Sequence, residues 1–152
     1  MKTTKDLAMV AMVAAIYCAI TLVVSPIAFG PMQFRISEIM KPLALKGRKY
    51  IIGLTIGLFL ANLISPYGGL MEWLWMPFMC FVGGEIAYLL RRFPIFSVIF
   101  YSVWISFAVS VLLQVVLGIP FYLSIGWIFV PETFLMLVGL PIMNKIWNKI
   151  KT

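Results

Sequence analysis

The chain alternates long apolar runs with short polar interruptions, and the runs are too long and too uniform for the faces of a soluble protein. Residues 7–29 form the first run, which ends at Gly30-Pro31, a pair that neither continues a helix nor donates normally to one. Residues 50–64 form another and stop at Ser65-Pro66-Tyr67-Gly68-Gly69, a dense turn signal. The run 70–90 ends at Arg91-Arg92, the run 95–117 breaks at Gly118-Ile119-Pro120, and the last run covers 121–143. Crossing about 30 Å of hydrocarbon takes about 20 helical residues, so each run reads as a membrane span. A helix that meets lipid on one side and protein on the other is apolar all round, which is the pattern here.

Between the first two of these runs lies Met32-Gln33-Phe34-Arg35-Ile36-Ser37-Glu38-Ile39-Met40, too polar for an ordinary lipid-facing helix. The basic residues decide how to read it. They cluster as Lys2 and Lys5; Lys41, Lys46, Arg48 and Lys49; Arg91 and Arg92; and Lys145, Lys149 and Lys151, leaving only Arg35 outside a cluster. If every cluster is cytoplasmic, an even number of crossings separates successive clusters. A short, protein-enclosed second span is therefore expected at 36–45, preceded by a partly buried loop. The expected fold is an all-α integral membrane protein: six transmembrane helices, both ends in the cytoplasm, residues 1–152 as a single domain. Its compact bundle is expected to hold an outward-facing substrate pocket.

Composition sharpens this reading. Of the 152 residues 63% are hydrophobic and 11% charged, against roughly half and a quarter in soluble domains. The formal charge of +7 sits in the clusters between apolar runs, so it reports topology rather than nucleic-acid binding. Cys18 and Cys80 lie far apart inside apolar runs with no CxxC and no neighbouring His, which signals neither a zinc site nor a disulfide framework. The first run has no clear small-residue cleavage site and is expected to be an uncleaved span. The chain has no His, no GxxxxGK[ST], no HExxH and no GxSxG, so neither ATP hydrolysis nor a familiar enzyme chemistry is expected of it.

An ionisable side chain at a helix centre in a bilayer costs about 2.5–3.5 kcal/mol on insertion scales, so each one needs a partner or a wet cavity. Arg35, Glu38, Glu72, Glu85 and Glu132 are in that position. All but Glu85 fall in the outer half of the expected topology, with Asn62 and Gln114 at similar depth. The expected site is one convergent pocket that opens outward. Phe34, Tyr67, Trp73, Trp75, Tyr122 and Trp127 surround that level, either to stack on a flat ligand or as the aromatic belt that membrane interfaces favour. Other readings stand beside the pocket. Arg35 and Glu38, three apart, share a helix face and can neutralise each other; Glu72 can sit in interfacial water; Glu85 follows Gly83-Gly84 and can answer Arg91. In the first span Ala11, Ala15 and Ala19 recur every four residues, a spacing that admits a close helix, internal or from a partner.

Gly30-Pro31-Met32-Gln33-Phe34-Arg35-Ile36-Ser37-Glu38 after an apolar first span, with Ala61-Asn62-Leu63-Ile64-Ser65-Pro66-Tyr67-Gly68 later, resembles the QueT family over nearly the whole chain. These are six-helix substrate-binding subunits, or S components, of energy-coupling factor (ECF) importers of the ABC class. The resemblance implies a multi-pass protein of the bacterial cytoplasmic membrane that binds its substrate from outside. It implies as partners the transmembrane coupling subunit (T component) and two ATPase subunits, which use the ATP, so that this chain needs no cofactor of its own. The alanine stripe is similar to the AxxxA element with which S components dock on the coupling subunit. Import would then involve toppling of the whole subunit in the membrane.

The family's usual substrates are queuosine precursors, especially 7-aminomethyl-7-deazaguanine, while similar members are linked to cobalamin. The residues favour the first. It is a flat cation with N–H donors on its guanine edge, for which Glu38, Glu72 and Glu132 supply acceptors and the aromatic rings a stacking face. Cobalamin is larger, displays neutral amides and gives less reason for three acids. A stand-alone secondary transporter with Glu132 or Glu85 as proton carrier is the alternative of a different class.

Overall fold

A computed structural model describes residues 3–29, 34–66 and 68–151 of the chain. Among the described residues all regular structure is helical. Helix α1 (Thr4–Val23) opens on Thr3, whose side chain accepts from the Asp6 amide at 3.4 Å. It breaks at Val24 and restarts as the single turn α2 (Ser25–Ala28), with Pro26 in its first turn. A 3₁₀ helix (Ile36–Lys46) follows, then α3 (Arg48–Asn62) beyond Gly47, whose φ of 152° suits only glycine. A π turn (Met71–Trp75) leads into α4 (Met76–Leu89). Helix α5 (Pro94–Leu117) closes on left-handed Gly118, with the Gly118 and Ile119 amides bonded back to Gln114 and Leu113. Helix α6 (Phe121–Lys151) completes the chain.

The apolar runs therefore become helices close to their expected limits. Helix α6 runs about two turns beyond residue 143, because the polar stretch after it contains neither Gly nor Pro to stop it. Three helices are long and apolar enough to cross a bilayer: Thr4–Val23, Pro94–Leu117 and the stretch Phe121–Ile150. The others are shorter; α3, with 15 residues, rises about 22 Å. The expected enclosed segment at 36–45 is the 3₁₀ helix, surrounded by α1, α3, α4 and α6.

Glycines set how closely these elements approach. A Cβ on Gly53 would lie 2.9 Å from the Val13 Cβ, and one on Gly57 2.8 Å from the Ala14 carbonyl oxygen, so α3 lies directly against α1. Gly139 of α6 leaves room for the Ile39 backbone, which seats the 3₁₀ helix against α6. The α1 face used in this packing carries Val10, Val13, Ala14 and Tyr17, whereas Ala11, Ala15 and Ala19 are exposed. Internal packing does not use the alanine stripe.

The basic clusters converge on one end. One cavity there, of about 620 Å3, is lined by Lys46, Arg91, Arg92 and Asn144, and a second, of about 340 Å3, by Lys5, Lys46, Lys49 and Trp147. Lys41 departs from its cluster. Expected at the cytoplasmic face, it is wholly buried in the bundle, because the 3₁₀ helix turns its ammonium towards two carboxylates. Glu85 answers Arg48 at 3.0 Å, while Arg91 stacks over the Tyr88 ring at 4.0 Å.

Candidate functional site

The site begins with a periodicity. A 3₁₀ helix has three residues per turn, so side chains at i and i+3 eclipse each other. Arg35, Glu38 and Lys41 are spaced by three along the start and body of this helix and line up on one face. That face points into the protein: Arg35 is 3% exposed, Glu38 2% and Lys41 0%.

Each charge meets partners from a different element. Glu38 pairs with Lys41, and its other carboxylate oxygen accepts from the Tyr17 hydroxyl of α1 at 2.5 Å. Lys41 also reaches Oε1 of Glu132, from α6, at 3.4 Å, and its ammonium lies 5.3 Å from the centre of the Tyr101 ring of α5. One turn earlier, Arg35 donates from Nη1 to the Asn62 side-chain oxygen at 3.1 Å and places Nη2 3.5 Å from Glu72. Asn62, at the end of α3, in turn donates to the Glu72 carbonyl at 3.0 Å, and the Trp73 indole donates to the Asn62 carbonyl at 3.1 Å. Thr21 donates to the Tyr17 carbonyl at 2.9 Å and lies 2.7 Å from the Ser37 hydroxyl, which holds α1 to the start of the 3₁₀ helix.

Five ionisable groups are thus gathered, with Glu72 1% and Glu132 5% exposed. Water does not screen them, so their mutual attraction is strong, and so is the penalty for leaving any one unmatched. Glu38, Glu72 and Glu132 are acidic and Arg35 and Lys41 basic, so the fully ionised cluster carries an excess negative charge. That excess sits at Lys41, where two carboxylates share one ammonium; Arg35 and Glu72 balance each other. Among the described residues no group of Cys, Asp and Glu is arranged to hold a metal ion.

The structure brings together Arg35, Glu38, Asn62, Glu72, Trp73 and Glu132 of the expected site. Phe34 is half-buried beside Arg35, Gln114 and Trp127 are exposed and stand apart from the network, and Tyr67 lies outside the described residues. Sequence reasoning missed Lys41, Tyr17 and Tyr101. The spacing of Arg35, Glu38 and Lys41 was the available signal, and it becomes a signal only when the segment is 3₁₀ rather than α.

The outward-facing pocket expected above these acids is not among five cavities formed by described residues. These lie elsewhere and include an apolar groove of about 240 Å3 between α1, the 3₁₀ helix and α6. None of the five is lined by Glu38, Glu72 or Glu132, because Arg35 and Lys41 fill the space between the carboxylates.

The model of a family described as QueT transporter matches residues 7–148. The queuosine precursor transporter QueT of Lactococcus lactis subsp. cremoris (strain MG1363) is 31% identical over 161 aligned residues, covering 97% of this chain and 95% of that protein. No solved structure gives a significant match.

Proposed function

The chain belongs to the QueT transporter family, a family of membrane transporters and not of enzymes, and on that premise we propose that it is the substrate-binding subunit of an ECF importer for a cationic queuosine precursor. The substrate that best suits the buried network is 7-aminomethyl-7-deazaguanine. The observation that carries this reading is the charge imbalance: among the described residues, the buried acids Glu38, Glu72 and Glu132 pair with two bases, Arg35 and Lys41, all five nearly sealed from solvent. A ligand with a single ammonium supplies the missing charge, and its guanine-edge N–H groups suit carboxylate acceptors. Trp73 adds an aromatic face beside Asn62. Cobalamin, bulky and rich in neutral amides, finds no comparable complement in a tightly closed cluster of charges.

Admission of the ligand requires the elements around the cluster to part. The 3₁₀ helix is the element suited to this, since 3₁₀ hydrogen bonds are poorer than α bonds, runs beyond three or four residues are uncommon, and Pro42 removes a further donor. Six crossings with both ends in the cytoplasm agree with the gathering of basic residues at one end, beside the last turns of α6. The exposed Ala11, Ala15 and Ala19 form a smooth strip on α1 on which a coupling-subunit helix can pack.

The test is uptake of labelled 7-aminomethyl-7-deazaguanine into vesicles containing this chain, with and without a coupling subunit and its two ATPases. Uptake that needs those partners and ATP supports the reading. Uptake by this chain alone, driven by a proton gradient, would replace it with the secondary transporter.

A further inference from the structure

The Glu38–Lys41–Glu132 cluster poses a charge problem that its own residues do not solve. Lys41 balances one of the two carboxylates, and Arg35 is engaged with Glu72 and Asn62. Glu38 and Glu132, from different helices, converge on the one Lys41 ammonium, Glu132 at 3.4 Å, and both are buried. Two carboxylates that share a single ammonium away from water do not both stay ionised; a proton on one of them removes the excess charge. The other groups facing the cluster are Tyr17 from α1, Cys80 from α4 and Tyr101 from α5, all neutral, and Tyr17 already spends its proton on Glu38.

We propose that the Glu38–Lys41–Glu132 cluster stores one exchangeable proton, and that the ammonium of a cationic ligand displaces it on binding. The step balances: the carboxyl group loses its proton to water, the carboxylate left behind pairs with the ligand ammonium, and the net charge within the site is the same with the guest bound as with the proton bound. This rests on the reading of the site as a receptor for a cationic heterocycle and deepens it. The cluster then selects by charge, since a ring of the same shape without an ammonium leaves the proton in place and gains no ion pair. Lys41 becomes a specificity-determining residue: it neutralises one carboxylate permanently and leaves one for the guest.

The test has two arms on the purified full-length chain. The first is the infrared carbonyl band of a protonated carboxylic acid at neutral pH, assigned with isotope-labelled glutamate and recorded without ligand. The band is expected in the wild type and in Glu72→Gln, and absent in Glu132→Gln. The second arm is calorimetric titration with 7-aminomethyl-7-deazaguanine in phosphate and in Tris at one pH, where the buffer dependence of the heat counts protons. Release of about one proton per ligand is expected, together with loss of the infrared band. The uncharged probe 7-methyl-7-deazaguanine should release none and bind at least tenfold more weakly.

A wild-type spectrum without the band overturns the stored proton whether or not the ligand binds. Binding with no proton release overturns the exchange. If the band is present but the deazapurine produces no heat, the assigned ligand fails and the exchange with it, while the stored proton stands. The wild-type measurements are decisive by themselves, so a variant that fails to fold does not shelter the proposal.

Discussion

Lys41 Nζ lies 3.4 Å from Glu132 Oε1, an ion pair between residues 91 positions apart that ties the enclosed 3₁₀ helix to the middle of α6. The same ammonium pairs with Glu38 of its own helix, so a single buried lysine holds two acids in place. Much of the chemistry proposed for this chain follows from that arrangement.

Removing the lysine tests it. Lys41→Met deletes the positive charge that balances the ionised member of the Glu38 and Glu132 pair while leaving both acids buried, and breaking a buried ion pair in this way costs about 3–5 kcal/mol. A clear drop in thermal unfolding temperature in detergent is the expected outcome. Adding Glu132→Gln to Lys41→Met should recover part of the loss, giving a non-additive double-mutant cycle. Strict additivity would show that the two side chains do not act as a pair.

Arg35 holds Asn62 with one guanidinium nitrogen and approaches Glu72 with the other. A lysine has no planar fork and cannot reproduce that geometry. Arg35→Lys should therefore destabilise the chain by about 1–3 kcal/mol, the range for a buried polar partner left unsatisfied, and weaken ligand binding. Unfolding and binding measured on the same preparation check both effects.

Gly139→Ala tests the seating of the site without touching a charge. The added methyl would collide with the Ile39 backbone, which cannot swing aside as a side chain can. Displacement of the 3₁₀ helix should cost about 1–3 kcal/mol, as overpacking does, and lower ligand affinity although no ligand contact is removed. Unchanged affinity and stability would mean that α6 and the 3₁₀ helix are not locked together here.

Ala15→Trp should separate assembly from binding. Ala15 is exposed on α1, away from the face that packs on α3. A tryptophan there is expected to block co-purification with the coupling subunit and leave substrate titration unaltered. Normal assembly would place the docking surface elsewhere.

Hydrophobic patterning made most of the fold legible. The apolar runs and their Gly/Pro breaks located the helix ends to within a few residues, except for the C-terminal end of α6, and the parity of basic clusters pointed to an enclosed segment where the helix is 3₁₀. The rule that exposed the segment also obscured its most important residue, because Lys41 counted as a topology marker and markers are assumed to face water. Tyr17 was hidden differently: a tyrosine in an apolar run looks like packing until the acid it bonds, Glu38, is brought to it by tertiary structure. Gln114 and Trp127 share the expected depth but are exposed, since depth along a helix says nothing of rotation about its axis. The burial of Arg35, Glu38, Glu72 and Glu132 could be read in advance because a charge inside a bilayer has few other places to go.

The central claim is that the buried acids receive a cationic queuosine precursor. It is tested most directly by calorimetric titration of the purified chain with 7-aminomethyl-7-deazaguanine and, in parallel, with cobalamin, for the wild type, Glu38→Gln and Glu132→Gln. Saturable binding of the deazapurine alone is expected, weakened at least tenfold, or about 1.4 kcal/mol, in each variant. Equal affinity in all three proteins, or binding of cobalamin in place of the deazapurine, would contradict it.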